Sequence, residues 1–395
     1  MTAHFGNSLT EQRRLLAGAA AVLLDAHTVI RVGGVDRASW LHALLSQNIQ
    51  GQPVGASVEA LLLDPQGHVE QDIHLVIAED AIWLWVGAER GQALVAWLQR
   101  MVFRSKVEID DVSNRYAIVA TIGSPLATAE LHWNDPWPAT AAGGFRYASA
   151  EATAHAAADW NYFENLVAIG ATDAVFADLE PAGTSALDAL RIAAHRPAEP
   201  ELDDRTLPHE LDLLATAVHL SKGCYRGQET VAKVHNLGHP PRRLVLLHLD
   251  GSGHELPTVG DEVRLVGAEA ARGRITSTAT HFEAGPIALA VISRGVPSPI
   301  SAPRIMSPTQ RSVLFTTRAR TVPPAPPAAA RDSRPVPISG SGLAEPEAPP
   351  ADAEQVAVGE RTVLDVLAVD LEAGAHADVS FVGACASGMA GAQLN

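Results

Sequence analysis

Hydrophobic residues in the first 125 positions follow two periods, one typical of strands and one typical of helices. Strand-like runs occupy 27–34, 57–64, 69–78, 81–87, 106–112 and 116–123, and a turn at 65–68 joins two of them. Helical spacing follows Asp36, which is a candidate N-cap, and recurs over 89–101. This order of elements predicts an α+β layer, with helices packed over a mostly antiparallel sheet.

The amino-terminal segment 12–27 allows two interpretations. Paired arginines, Arg13 and Arg14, precede a run of small and apolar residues, as they do in a twin-arginine export signal. The spacing of Leu15, Leu16 and Leu23 instead favours an amphipathic first helix, and no convincing cleavage site follows. We therefore predict a helix over 12–27.

The pattern changes twice further along the chain. Helices are predicted over 161–170, ending at Gly170, and over 185–197, ending at a proline, while 126–158 gives no clear pattern. From Arg242, four short strand-like runs separated by glycine and proline predict a small barrel or sandwich. Nine of the thirty residues at 321–350 are proline, which predicts a largely disordered tail. The predicted regions are 1–125, 126–240, 241–297 and 298–395.

Charge and cysteine content exclude several classes of protein. The net charge of −16 argues against a general nucleic-acid binder, although a local basic pocket stays possible. The two cysteines, Cys224 and Cys385, cannot supply a four-thiolate metal site, and His235 and His239 lack an evident third ligand, so no metal site is predicted. Few cysteines and no apolar run of ~20 residues favour a cytoplasmic protein without a membrane span.

The segment SKGCYRGQET, at 221–230, carries the most unusual chemistry. Cys224 lies between Lys222 and Arg226, and two nearby cations are expected to stabilise a thiolate. Glycines at 223 and 227 permit tight turns and close approach of a ligand. A glycine turn around a buried cysteine is the alternative interpretation.

The motif KGCYRGQE resembles the signature of the folate-binding YgfZ proteins, which are relatives of the glycine-cleavage T-protein. The flanking segments 36–49, 187–197, 207–212 and 272–297 are similar to the same family, so the resemblance covers roughly 20–297. It implies an α+β fold of two linked ferredoxin-like units around a central folate site, plus a small C-terminal β-barrel.

The resemblance also implies a function. YgfZ-like proteins use tetrahydrofolate in supporting the assembly or repair of iron–sulfur enzymes, including enzymes that modify tRNA. By this resemblance Cys224 is the reactive thiol, and folate and iron–sulfur proteins are the partners, with no direct nucleic-acid or membrane binding. The implied cofactor-binding residues are Arg191, Lys222, Gly223, Tyr225, Gly227, Gln228 and Glu229.

Departures from the T-protein pattern leave the reaction open. The stretch GHVEQD places Asp72 near the position of the T-protein's aspartate base, but the pattern is incomplete and favours an ordinary strand residue. The T-protein segment YTGE-x-G has no recognisable counterpart. Three functions therefore stay open: an accessory factor for iron–sulfur enzymes, a tetrahydrofolate-dependent aminomethyltransferase or one-carbon transferase with Asp72 as base, and a binding module that senses folate.

Overall fold

A computed structural model describes residues 2–147, 156–250, 256–265 and 270–296, together with the backbone of two strands at 301–305 and 312–316. The chain divides into two units, Met1–Pro324 and Ala325–Asn395, and all described residues belong to the first. Cys385 and most of the predicted tail lie outside the described residues.

The described part of the chain has a mixed α+β architecture. Its helices are α1 (Ser8–Leu16), α2 (Arg37–Leu44), α3 (Ala88–Arg100), α4 (Thr172–Asp178), α5 (Thr184–Ala193) and α6 (Gln228–Asn236). Its strands are β1 (Ala20–Leu24), β2 (His27–Gly33), β3 (Ser57–Leu63), β4 (Val69–Ile77), β5 (Ile82–Gly87), β6 (Glu108–Asp111), β7 (Tyr116–Ile122), β8 (Leu131–Asn134), β9 (Tyr162–Ala168), β10 (Glu180–Pro181), β11 (Arg242–His248), β12 (Glu262–Leu265), β13 (Ala271–His281), β14 (Gly285–Ser293), β15 (Ser301–Ile305) and β16 (Ser312–Thr316).

The first sheet has the strand order β3-β4-β5-β2-β6, and all its pairs are antiparallel. Alternation along β4 buries Ile73 and Leu75 in a core shared with residues of α2 and α3. The intervening side chains of Asp72 and His74 therefore point to the opposite face. The predicted strands and helices of this region are confirmed.

The second sheet, of order β10-β1-β7-β9-β8, corrects two predictions. The helix predicted at 161–170 is wrong: β9 pairs with β7 over its full length and with β8 on its other edge, and six of its seven residues are buried. Tertiary pairing on both edges decides the conformation of this short apolar run. The helix predicted at 12–27 ends at Leu16, because Gly18 takes a left-handed conformation (φ 68°) and β1 begins at Ala20. The boundary predicted at 125 falls inside this sheet, between β7 and β8, and the four predicted regions stay a prediction.

The third sheet has the order β11-β14-β13-β12-β16-β15 and contains the four strands predicted after Arg242. Strand β12 pairs antiparallel with β13 and parallel with β16, which brings two segments of the predicted tail into the sheet. Closure of this sheet into a barrel stays a prediction.

Helix α1 is held by residues that are distant in sequence. The Gln12 side chain, which is 0% exposed, donates to the carbonyl of Thr280 and accepts from the amide of Phe282. The Glu11 carboxylate accepts from the amide of Gly183, which directly precedes α5. These contacts fix α5 against the third sheet.

No helix within the described ranges combines the length and apolar character needed to cross a bilayer.

Candidate functional site

A cavity of about 410 Å³ lies between the first sheet, the second sheet and helix α5. Asp72 and His74 of β4 line one side, Tyr162 and Glu164 of β9 line another, and Arg191 comes from α5. The polar face of β4 thus opens into this cavity.

Glu164 is the centre of a buried hydrogen-bond network in this cavity. Its carboxylate accepts from the Trp85 indole (2.5 Å) and the Tyr162 hydroxyl (2.8 Å), and it lies 2.6 Å from Nδ1 of His74. Burial favours the neutral imidazole, but the Glu164 carboxylate outweighs it and raises the pKa of His74 to about 9. Burial likewise opposes ionisation of Glu164, yet the charge of His74 lowers the pKa of Glu164 to about 2. The pair is therefore an imidazolium–carboxylate ion pair at neutral pH.

Arg196 organises a second buried cluster beside the first. Its guanidinium, which is 4% exposed, donates to Glu59 (2.7 Å) and Asp135 (2.9 Å). Burial, together with the Glu59 charge, raises the pKa of Asp72 to about 7. This carboxyl group is thus partly protonated near neutral pH.

The spacing of Glu59, Asp72 and His74 would allow a metal ion, because one ligand atom from each lies within 4.8 Å of the others. The charges argue against a metal, however. The Arg196 guanidinium already binds Glu59, and His74 carries a proton. Because both neighbours are cations, we assign no metal to this cluster.

Arg191 lies in the cavity wall, where its guanidinium is bound by other protein groups. It donates to Asp188 (3.2 Å), the carbonyl of Arg196 (2.9 Å), Glu201 (2.8 Å) and the Ser277 hydroxyl (2.9 Å). These bonds tie α5 to β13. The structure therefore supports a positioning role for Arg191, while its predicted contact with folate stays a prediction.

Lys222 of the cysteine motif is buried, at 8% exposure, and points away from the cysteine. Its ammonium donates to the carbonyls of His42 and Leu45 at the end of α2, and to that of Gln47 (3.2 Å). It also lies 5.0 Å from the ring centroid of Tyr225, which is itself buried. Burial lowers the pKa of Lys222 to about 8, so the side chain is charged at pH 7.

The rest of the motif forms a surface turn that leads into α6. Cys224 is exposed, and Arg226 pairs with Glu70 of β4 (2.8 Å). Gly227 is left-handed (φ 81°), and a Cβ there would lie 2.6 Å from the Asp64 carbonyl. Gln228 and Glu229 begin α6. The alternative of a buried cysteine is therefore wrong.

The motif does not line the first cavity, between the two sheets and α5. Of the residues described, Asp72 and Arg191 are the predicted site residues in its wall, and none comes from 222–229. A second cavity, of about 420 Å³, shares Gln71 and Arg90 with the first and includes Glu70 in its wall. Through the pair Arg226–Glu70, the motif contacts this second cavity.

Residues 9–159 match the family model of the GCVT N-terminal domain. This segment of the chain is therefore similar to GCVT N-terminal domains. The structure of glycine cleavage system aminomethyltransferase T from Bartonella henselae has the same fold, with a TM-score of 0.57 and 18% identity over 74% of this chain and 83% of that one. The resemblance to YgfZ and T-protein relatives is thus confirmed.

Three named relatives are similar to this chain over different lengths. A chloroplastic protein of Arabidopsis thaliana, named as a transferase, is 27% identical over 63% of this chain and 61% of its own. The tRNA-modifying protein YgfZ of Aliivibrio fischeri is 37% identical over 24% and 31%. The mitochondrial iron–sulfur cluster assembly factor IBA57 homologue of Mycosarcoma maydis is 25% identical over 68% and 70%. The chain thus matches less than two thirds of the length of the first two relatives.

Sequence reasoning missed four buried residues around the cavity, which come from β3, β4, β9 and the loop after α5: Glu59, His74, Glu164 and Arg196. The alternation of polar residues in β4 was a usable signal, because two ionisable side chains, Asp72 and His74, occupy one face of a strand. Glu164 was hidden by the incorrect helix over 161–170.

Proposed function

We propose that this protein binds tetrahydrofolate or a derivative in the 410 Å³ cavity and supports the assembly or repair of iron–sulfur enzymes, including tRNA-modifying ones. The observation that carries the proposal is the cavity with ionisable groups on its wall, lined by residues of the GCVT-like segment 9–159 together with residues from 160–202. Two linked ferredoxin-like units around this cavity, and a barrel built from 241–297, are part of the proposal.

The lining of the cavity suits a pterin. A pterin ring presents N–H donors to the Glu164 carboxylate and acceptor nitrogens to the Asp72 carboxyl group. It also presents a flat face to Trp160 and Tyr162, whose rings stack at 4.8 Å. The glutamate tail of folate carries carboxylates, for which Arg90 at the junction of the two cavities is a candidate. Arg191 shapes the wall through its bonds to neighbouring groups.

The accessory role draws on the names of relatives and on the exposed cysteine. One relative is named for tRNA modification and another for iron–sulfur cluster assembly. Cys224 is accessible at the surface, as a thiol that reacts with a partner must be. In this proposal the motif residues 222–229 present the thiol, iron–sulfur proteins are the partners, and a reducing cytosol is the compartment.

Calorimetric titration with tetrahydrofolate and 5-formyl-tetrahydrofolate tests the folate site. Wild type is expected to bind with a Kd of about 1 μM. Asp72→Asn, which keeps the side-chain shape, is expected to weaken binding at least tenfold. The matched control is Asp110→Asn on the exposed strand β6, which is expected to bind like wild type. Absence of binding to wild type would remove folate from the proposal.

Complementation tests the cysteine. In a strain that lacks the protein, Cys224→Ser is expected to leave the activity of iron–sulfur enzymes low, whereas Cys385→Ser restores it. Full rescue by Cys224→Ser, with normal folate binding, would instead favour a folate-sensing module.

A one-carbon transferase is the second candidate, and the position of Asp72 in the cavity favours it. Asp72 lies in the wall with its pKa raised to about 7, which is suited to proton transfer. Release of ammonia and formation of methylene-tetrahydrofolate from an aminomethylated carrier protein would identify this activity. Loss of that turnover in Asp72→Asn would assign the proton transfer.

A further inference from the structure

Asp72, which lines the cavity, has a second buried carboxyl group, that of Glu59, close beside it. Glu59 of β3 lies opposite His74 of β4, and Asp72 is two residues from His74 on the same face. One oxygen of each carboxyl group lies within 4.8 Å of the other. The two carboxyl groups are therefore neighbours on one face of the first sheet, and a side-chain rotation that closes the remaining gap would let them share a proton.

Two oxygen atoms in this pair lack donors. Among the described residues, none donates to Oε2 of Glu59 or Oδ1 of Asp72, although both atoms are buried. Glu59 is 1% exposed, and its other oxygen accepts from Arg196. Buried acceptors without donors are costly, so a proton between the two oxygens would satisfy both at once.

The surrounding charges favour one proton rather than none or two. Around the pair lie Arg196, which follows α5, His74 on β4, and Asp135, which follows β8. With both carboxylates ionised, two like charges would lie side by side in a buried site. The Arg196 guanidinium stabilises the negative charge on Glu59, so the proton resides mainly on Asp72.

We propose that Glu59 and Asp72 share a single proton, which makes Asp72 a carboxylic acid that faces the cavity. Asp72 then acts toward a ligand as a proton donor, and not as the base that a T-protein-like reaction requires. When it donates, the proton moves to a basic nitrogen of the ligand and leaves the Asp72 carboxylate facing the new cation, with the Glu59 carboxylate beside it. This role toward a folate nitrogen rests on the proposed function, whereas the shared proton itself does not.

Infrared difference spectroscopy of the full chain, titrated without folate, tests the shared proton. Wild type is expected to show the C=O band of a protonated carboxyl group that disappears with a midpoint near pH ~7, well above the ordinary aspartate value of about 3.9. Asp72→Asn is expected to lose this band. Glu59→Gln is expected to lower the midpoint by at least one pH unit, because the neighbouring charge is gone.

Controls separate this result from misfolding and from failure of the folate proposal. Asp110→Asn on β6 is expected to keep the wild-type band and midpoint. If either pair variant fails to fold, ¹³C-carboxyl spectra of aspartate-labelled wild type still show whether one aspartate titrates near pH ~7. Persistence of the band in Asp72→Asn, or titration of every aspartate in its ordinary range, would overturn the shared proton, whatever the outcome with folate.

Discussion

Replacing Lys222 by methionine separates a structural role of the motif from a ligand-binding one. Methionine keeps an unbranched apolar stem and removes the ammonium that donates to His42, Leu45 and Gln47. A hydrogen bond to a charged group contributes about 1.5–3 kcal/mol, and three bonds that share one ammonium do not add in full. We expect the free energy of unfolding to fall by about 3 kcal/mol.

Urea denaturation measures this loss, and Lys233→Met is the matched control. Lys233 is exposed in α6, so its replacement is expected to change the stability by less than about 0.5 kcal/mol. Calorimetry on the same variants, under conditions where each stays folded, reports the folate affinity. Because Lys222 points to α2, the folate affinity of the folded variant is expected to stay within about threefold of wild type.

The opposite pattern would refute this reasoning. If Lys222→Met unfolded at the wild-type urea concentration but lost folate binding, Lys222 would contact the ligand as the sequence predicted, and its carbonyl contacts would be energetically unimportant.

Three further predictions concern the cavity and the motif. Arg196→Met leaves the buried carboxylates of its partners without a cation and is expected to lower the free energy of unfolding, measured by urea denaturation, by about 3–5 kcal/mol. Arg264→Met breaks an exposed ion pair and is expected to lower it by under about 1 kcal/mol; equal losses would contradict the buried network. The pKa of His74 rises from 6.5 to about 9 on folding, so its contribution to the free energy of unfolding is full below pH 6.5 and is lost, by about 3 kcal/mol, as the pH rises through 9. In His74→Asn the free energy of unfolding, measured against pH, is expected to lack this decline, and an unchanged pH dependence would disprove the assignment. Gly227→Ala is expected to destabilise the fold by about 1–3 kcal/mol, whereas Gly223→Ala is expected to be near neutral, because a Cβ at 223 meets no atom within 4 Å. Thermal denaturation compares the two variants, and a larger loss of stability in Gly223→Ala would contradict the left-handed turn at Gly227.

The sequence predicted elements well where the local pattern and the tertiary environment agree. Alternation in β4 and helical spacing in α3 lead to the right elements because each has one buried face. Strand β9 was mispredicted, since it is buried on both faces and its apolar run is compatible with a helix or a strand equally.

The site was predictable only in part, because several of its residues meet only through the tertiary fold. Asp72 and Arg191 were found through family resemblance, and both line the cavity. Glu59, His74 and Arg196 are brought together by strand register and by the loop after α5, which no short motif encodes. For Lys222 the family resemblance implies cofactor binding, which stays a prediction. The contacts of its ammonium with carbonyls at the end of α2 could not be read from the sequence, because proximity to Cys224 along the chain does not reveal the direction of a side chain.

The contacts of α1 imply that the order of synthesis and the order of burial differ in this chain. Glu11 and Gln12 leave the ribosome early, but their partners are Gly183, Thr280 and Phe282. A nascent chain therefore carries this amphipathic helix undocked until nearly 300 residues are made, since the last of its partners is Phe282. Chaperones that bind early apolar segments would have their longest opportunity at this helix, and the helix can dock fully only once the second and third sheets have come together.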